Sequence, residues 1–112
     1  FALKDCLNVA LKDGIKVTSV SICGGGARSS TWRQIVSDVL GIPLKRMVTN
    51  QGPSYGSAIL AMVGDGKYAS IEEACSVLCK VKDVILPDDK KREYYERKYA
   101  RFVKLYPALK EI

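Results

Sequence analysis

Three consecutive glycines, Gly24-Gly25-Gly26, lie between a β-branched run and an amphipathic stretch, and they constrain this chain more than any other feature. Val17, Val20 and Ile22 before them are strand formers, and the spacing predicts a strand from about Lys16 to Cys23. The glycines strip every Cβ from the strand's carboxyl end, where a flat or charged group could approach the backbone. Ser29, Ser30 and Thr31 are all competent helix caps, and Thr31 with Gln34 has capping-box spacing. Trp32, Ile35, Val36, Val39 and Leu40 then repeat at one helical face. A strand, a glycine turn and a helix N-terminus in that order form the usual nucleotide position of an α/β protein.

The rest of the chain reads as one domain built around that stretch. Its 112 residues carry a net charge of +6 with 47% hydrophobic residues, an ordinary globular balance. The charge excess is split evenly between the segment before Lys67 and the tail after Pro87, which argues against a concentrated nucleic-acid surface. No apolar run approaches the roughly 20 residues that span a bilayer. Cys6, Cys23, Cys75 and Cys79 come without any histidine and without metal-ligand spacing. They read as reduced thiols packed in a core, which points to a cytoplasmic setting.

Leu3, Cys6, Leu7, Ala10 and Leu11 mark a first helix stopped by Asp13-Gly14. A second strand is expected around Leu44 to Val48 after the Gly41-Ile42-Pro43 connection, parallel to the first. Asn50-Gln51-Gly52-Pro53 is a turn that opens a third helix carrying Tyr55, Ala58, Ile59, Met62 and Val63, with Tyr55 packed on that turn. Ser70 and Glu73 form a second capping box before the helix with Cys75 and Cys79. Val81 to Leu86 is a short strand or an extended link. Pro87-Asp88 caps a long final helix with Tyr95, Tyr99, Phe102 and Tyr106 on one side. Five helices around two or three strands are too few strands for a complete doubly wound sheet. With Phe1 already inside a helix, the expectation is a piece of something larger.

Two familiar nucleotide motifs fail here. The dinucleotide fingerprint asks for a third glycine where Ser29 stands, and for an acidic residue where Thr49 and Asn50 stand. No G-x-x-x-x-G-K-[ST] loop occurs. Two readings stay open from spacing alone: a turn kept bare for helix–sheet packing, or one that meets the neutral part of a nucleotide. The basic final helix offers a third, a stand-alone interaction or nucleic-acid-binding module using Lys90, Lys91, Arg92, Arg97, Lys98, Arg101 and Lys104. Against it, Asp88, Asp89, Glu93 and Glu96 interleave those charges.

Gly24-Gly25-Gly26-Ala27-Arg28-Ser29, then Trp32-Arg33-Gln34-Ile35, then Asp38-Val39-Leu40-Gly41-Ile42-Pro43 resemble the C-terminal domain of the FGGY carbohydrate kinases. The likeness is greatest to the branch that phosphorylates xylulose. Gly52 to Ala61 matches the family's later glycine turn with G-x-A-I-L-A, and the Tyr95 to Tyr106 pattern resembles the end of many of that branch's chains. The resemblance implies an α/β fold, the C-terminal portion of an actin-like (ribonuclease H-like) ATPase domain with short parallel strands covered by helices. Residues 1–112 would be the last part of the second domain, without the N-terminal sugar-binding domain.

It also implies the use of ATP with Mg²⁺ to phosphorylate a ketopentose such as xylulose. Gly24, Gly25, Gly26 and Ala27 would then lie against the adenosine, with Arg28 and Ser30 as rim candidates. The partners implied are ATP or ADP and a sugar, with no nucleic acid and no membrane. The tyrosine-bearing final helix is either a homodimer surface or one face packed on its own domain. Phosphoryl transfer needs a metal site, phosphate loops and a base. Asp38, Asp65, Asp88 and Asp89 read as solvated or capping residues, so no catalytic or metal residue is assigned here and the chain alone is expected to be inactive.

Overall fold

Side-chain alternation on three short strands decides which face of the sheet is covered. The computed structural model describes residues 1–49 and 52–110. In it β1 (Val20–Ile22), β2 (Leu44–Met47) and β3 (Val81–Ile85) form one sheet in that order. β1 and β2 are parallel, with Val20 opposite Leu44. β3 runs antiparallel to β2, with Ile85 opposite Leu44 and Asp83 opposite Arg46. Residues two apart on a strand share a face, so Leu44, Arg46, Asp83 and Ile85 look the same way. Helix α2 (Ser30–Leu40) covers that face, and Leu44 beneath it is 1% exposed.

The expected parallel arrangement therefore holds for β1 and β2, and β3 makes the sheet mixed. The reason lies in the connection. Between β2 and β3 the chain makes a helical hairpin, α3 (Pro53–Gly64) and α4 (Ile71–Leu78). Two helices packed against each other return the chain to the end it left, so the next strand must run back. The Val48 amide donates to the Lys80 carbonyl at 2.8 Å and closes the base of that excursion. The expected turn at Asn50-Gln51 lies outside the described residues, and Gly52 serves as the N-cap of α3.

Caps follow the sequence with shifts of register. Ser29, not Thr31, caps α2: its hydroxyl accepts from the Trp32 amide at 3.2 Å. Gln34 turns away from any capping box and donates to Asp38 (2.8 Å) and to the Leu86 carbonyl (3.0 Å). The box before α4 forms with its return bond shifted by one residue: the Glu73 amide donates to Ser70, and the Glu73 carboxylate accepts from the Ala69 amide. Gly41 ends α2 in the left-handed conformation (φ 68°), the usual use of glycine at a helix end. The first strand is shorter than its β-branched run, because only Val20–Ile22 finds a partner strand.

The terminal helices close over α2. Helix α5 (Asp89–Phe102) packs on it, capped by Asp88, whose carboxylate accepts from the Lys90 and Lys91 amides. Phe1, ahead of α1 (Ala2–Lys12), meets Tyr95, Tyr99 and Phe102 at ring-centroid distances of 6.3, 5.9 and 5.4 Å. Tyr99 donates to Asp5 and accepts from Asn8, while Lys4 pairs with Glu96. Three of the four aromatic residues expected along the final helix are thus spent inside the chain. The fourth is not: the helix breaks at Val103-Lys104, and Tyr106 stands in α6 (Leu105–Leu109), 77% exposed.

One sequence expectation needs correction. Cys6 and Cys23 are exposed and line an open apolar groove with Leu3, Leu7 and Ile22, where a closed core was expected. Only Cys75 and Cys79 are half-buried, and burial followed by the neighbouring Cys79 thiol pushes the Cys75 thiol upward. The expected packing of Tyr55 on the Asn50-Gln51 turn lies outside the described residues. The Tyr55 hydroxyl donates to the Leu78 carbonyl at 3.2 Å and ties the start of α3 to the end of α4.

Candidate functional site

Immediately after β1 the chain makes a 3-10 turn, Gly25–Arg28, with Gly24 as its N-cap. The three glycines serve different ends. Gly24 has φ 80° and ψ −163°, a region of backbone space that is essentially glycine's alone. A Cβ on Gly26 would stand 2.9 Å from Cδ1 of Trp32, so its bareness lets the indole lie against the turn. Gly25 answers to neither need. A Cβ there would meet nothing within 4 Å, and its φ is not positive.

Ala27 is the turn's buried residue, 3% exposed. Its amide donates back to the Gly24 carbonyl at 3.2 Å. Its own carbonyl accepts from the Arg33 guanidinium, Nη1, at 2.5 Å. Arg33 lies on α2, just after the Ser29 cap, and is only 9% exposed. The turn is therefore held at both groups of one peptide-bearing residue, while Gly25, Gly26, Arg28 and Ser30 stay exposed.

Ala27 and Arg28 share a cleft of about 150 Å³ with Arg46, Met47, Val48 and Lys82, at the carboxyl end of β2 and the start of β3. Ser30 lies on the first turn of α2 and does not line it. The cleft is strongly cationic. Arg46 makes a two-armed pair with Asp83. The hydrogen bond from Arg46 holds the Asp83 carboxyl below its ordinary value, helped by the charges of Arg46, Arg33 and Lys82. That same bond raises the Arg46 guanidinium above its own ordinary value. One carboxylate thus feels the charges of Arg46, Arg33 and Lys82 while Arg28 lines the same cleft, and an anion is favoured nearby.

Asp38, expected to be solvated or capping, is 1% exposed. One oxygen accepts from Gln34 and from the Asp88 amide (2.8 Å each), which ties α2 to the start of α5. Its other oxygen and the Nε of Arg33 are buried without a hydrogen-bond partner. Asp65, Asp88 and Asp89 are exposed, all three at helix ends. Among the described residues no cluster of three or more His, Cys, Asp or Glu could hold a metal ion. No helix there is long and apolar enough to cross a membrane.

Sequence spacing missed Arg33 and Asp38 because both look like the solvent side of an amphipathic helix. The signal that could have found them is the short Gly41-Ile42-Pro43 connection. It presses α2 onto the sheet, while α5 covers the opposite side.

The family model for the FGGY family of carbohydrate kinases, C-terminal domain, matches residues 1–64. A xylulose kinase of Staphylococcus epidermidis is 31% identical over the whole chain, which spans 23% of that protein's length. An autoinducer-2 kinase of Yersinia pseudotuberculosis is 33% identical over 79% of the chain and 17% of its own length. Among solved structures, a ligand-bound xylulose kinase from Lactobacillus acidophilus superposes with TM-score 0.84 over 96% of the chain and 22% of its own, at 20% identity. That last likeness concerns the fold. The chain spans about a quarter, or less, of each of these relatives.

Proposed function

Because the chain belongs to the FGGY family of carbohydrate kinases, we propose that its glycine turn holds the adenosine end of ATP. Gly24, Gly25, Gly26 and Ala27 lie against the nucleoside in this reading, and Arg28 and Ser30 form the rim. The chain is then the last part of a kinase's second domain, and the whole protein transfers the γ-phosphoryl of ATP to a ketopentose such as xylulose. The name of the Staphylococcus relative supports xylulose, while that of the Yersinia relative widens the range of acceptors.

The observation that carries the reading is Gly25. The fold needs Gly24 for its backbone angles and Gly26 for Trp32, but nothing in the fold needs a glycine at 25. A ligand lying on that backbone supplies the missing reason. Arg28 beside the cationic cleft suits the anionic character of a nucleotide.

The rest of the chemistry is assigned outside this chain. Phosphoryl transfer requires Mg²⁺ and a base for the sugar hydroxyl. In this reading the metal and the base come from elsewhere in the whole protein, and residues 1–112 alone are expected to carry no kinase activity. The working compartment is the reducing cytoplasm, and neither nucleic acid nor membrane is a partner. In the whole protein, Gly25→Leu is expected to raise the KM for ATP at least tenfold while the melting temperature stays put, since the added side chain meets open space. An unchanged KM for ATP would refute the adenosine assignment.

A further inference from the structure

Arg33 is the most buried cation near the turn, and stability does not account for it. Its guanidinium makes one hydrogen bond, to the Ala27 carbonyl at 2.5 Å, and its Nε is buried without a partner. The carboxylate that feels its charge, Asp83, is occupied by Arg46. A buried charge without a hydrogen-bonded counter-charge is costly, and an apolar residue of similar volume is often the more stable choice. What the arginine adds is a second grip on the turn. The Gly24 carbonyl takes the Ala27 amide at 3.2 Å, and Arg33 takes the Ala27 carbonyl from the other side. The exposed backbone of Gly25 and Gly26 is thereby fixed before any ligand arrives.

We propose that Arg33 is a positioning residue for the nucleotide, acting through the Ala27 carbonyl to pre-organise the glycine turn. The inference rests on the adenosine reading of that turn. Ordering the loop in advance lowers the entropy that binding must overcome. The buried charge also strengthens the positive field shared with Arg28, Arg46 and Lys82, which an anionic nucleotide meets on approach. Arg33 touches no reacting atom, so its effect should fall on nucleotide affinity and leave the chemical step alone.

The test is steady-state kinetics of the whole kinase with Arg33→Met and Arg33→Lys, alongside Gly25→Leu. Removing a hydrogen bond from a charged donor should raise the KM for ATP about tenfold in Arg33→Met. The kcat and the KM for the sugar should stay within about twofold, and the melting temperature should change little, because loss of a costly buried charge offsets leaving the Ala27 carbonyl without its donor. Arg33→Lys, which can still donate to Ala27, should recover most of the ATP affinity. An unchanged KM for ATP in Arg33→Met beside a weakened Gly25→Leu overturns the role of Arg33 and leaves the adenosine reading standing. An unchanged KM in Gly25→Leu removes that reading and this inference with it. A parallel fall of kcat, both affinities and melting temperature in both Arg33 variants shows a purely structural residue, and the proposal is then wrong.

Discussion

Helix α2 and the α3–α4 hairpin carry apolar residues at the same helical spacing, yet one is the core and the other an arm. On α2, Val36 and Val39 are 6% and 7% exposed, and the polar Arg33, Ser37 and Asp38 are buried with them. On the hairpin only Ile59 and Ala74 are buried, while Leu60, Ile71 and Val77 remain about half exposed. The molecule is drawn out accordingly, 54 × 32 × 27 Å with a radius of gyration of 17.4 Å. A compact domain of this length would have about 13 Å. Apolar periodicity announces that a helix has a face to bury. What covers that face is decided by where the neighbouring strands and helices go.

The sharpest way to break this contrast is a pair of truncations. Leu44→Ala removes the side chain wedged between the sheet and α2, and should cost about 2–5 kcal/mol in urea unfolding. Leu60→Ala on the arm should stay within about 0.5 kcal/mol. Equal losses would mean that the arm is as much a core as α2.

A smaller effect separates the polar interior from the apolar one. Asp38→Ala leaves the Asp88 amide without its acceptor at the start of α5, at a cost of about 1–3 kcal/mol. Amide exchange should quicken at Asp88 and across the first turn of α5. Undisturbed exchange there would show that α5 docks without that tie.

The smallest effect lies at the outer edge of the sheet and depends on pH. Arg46 depresses the folded-state pKa of Asp83, so the stabilisation is complete above the ordinary carboxylate value and is lost as pH falls through the lowered one. Exchange of the β3 amides should therefore accelerate only below the usual carboxylate range, and Asp83→Asn should abolish that acid limb. An acid limb that survives in Asp83→Asn would place its cause elsewhere. At this exposed site the pair contributes little at neutral pH.

The strand, glycine turn and helix of the site could be read from residue types, because β-branching, missing Cβ atoms and a serine cap act locally. The helix start at Ser29, the Gly41 end and the Ser70–Glu73 box follow from the same local chemistry. What escaped depends on distant parts of the chain. Asp38 is buried because the start of α5, fifty residues on, closes over α2, and Arg33 because the glycine turn and β3 lie against it. β3 runs antiparallel because two helices, not one, precede it. Cys6 and Cys23 stay exposed because the groove between α1 and β1 is left open. The even division of work among three adjacent glycines was equally invisible, since one residue type answers a backbone angle, a neighbouring indole and a bare surface alike.

The grip on Ala27 is made through its main-chain carbonyl, a group that every amino acid carries. The frame of the turn is therefore indifferent to the side chains of Arg28 and Ser30. Mutational libraries at those two positions can explore new ligand preferences without disturbing the scaffold, and natural drift can do the same. The fold keeps the part that must not change and the part that is free to vary only a residue apart.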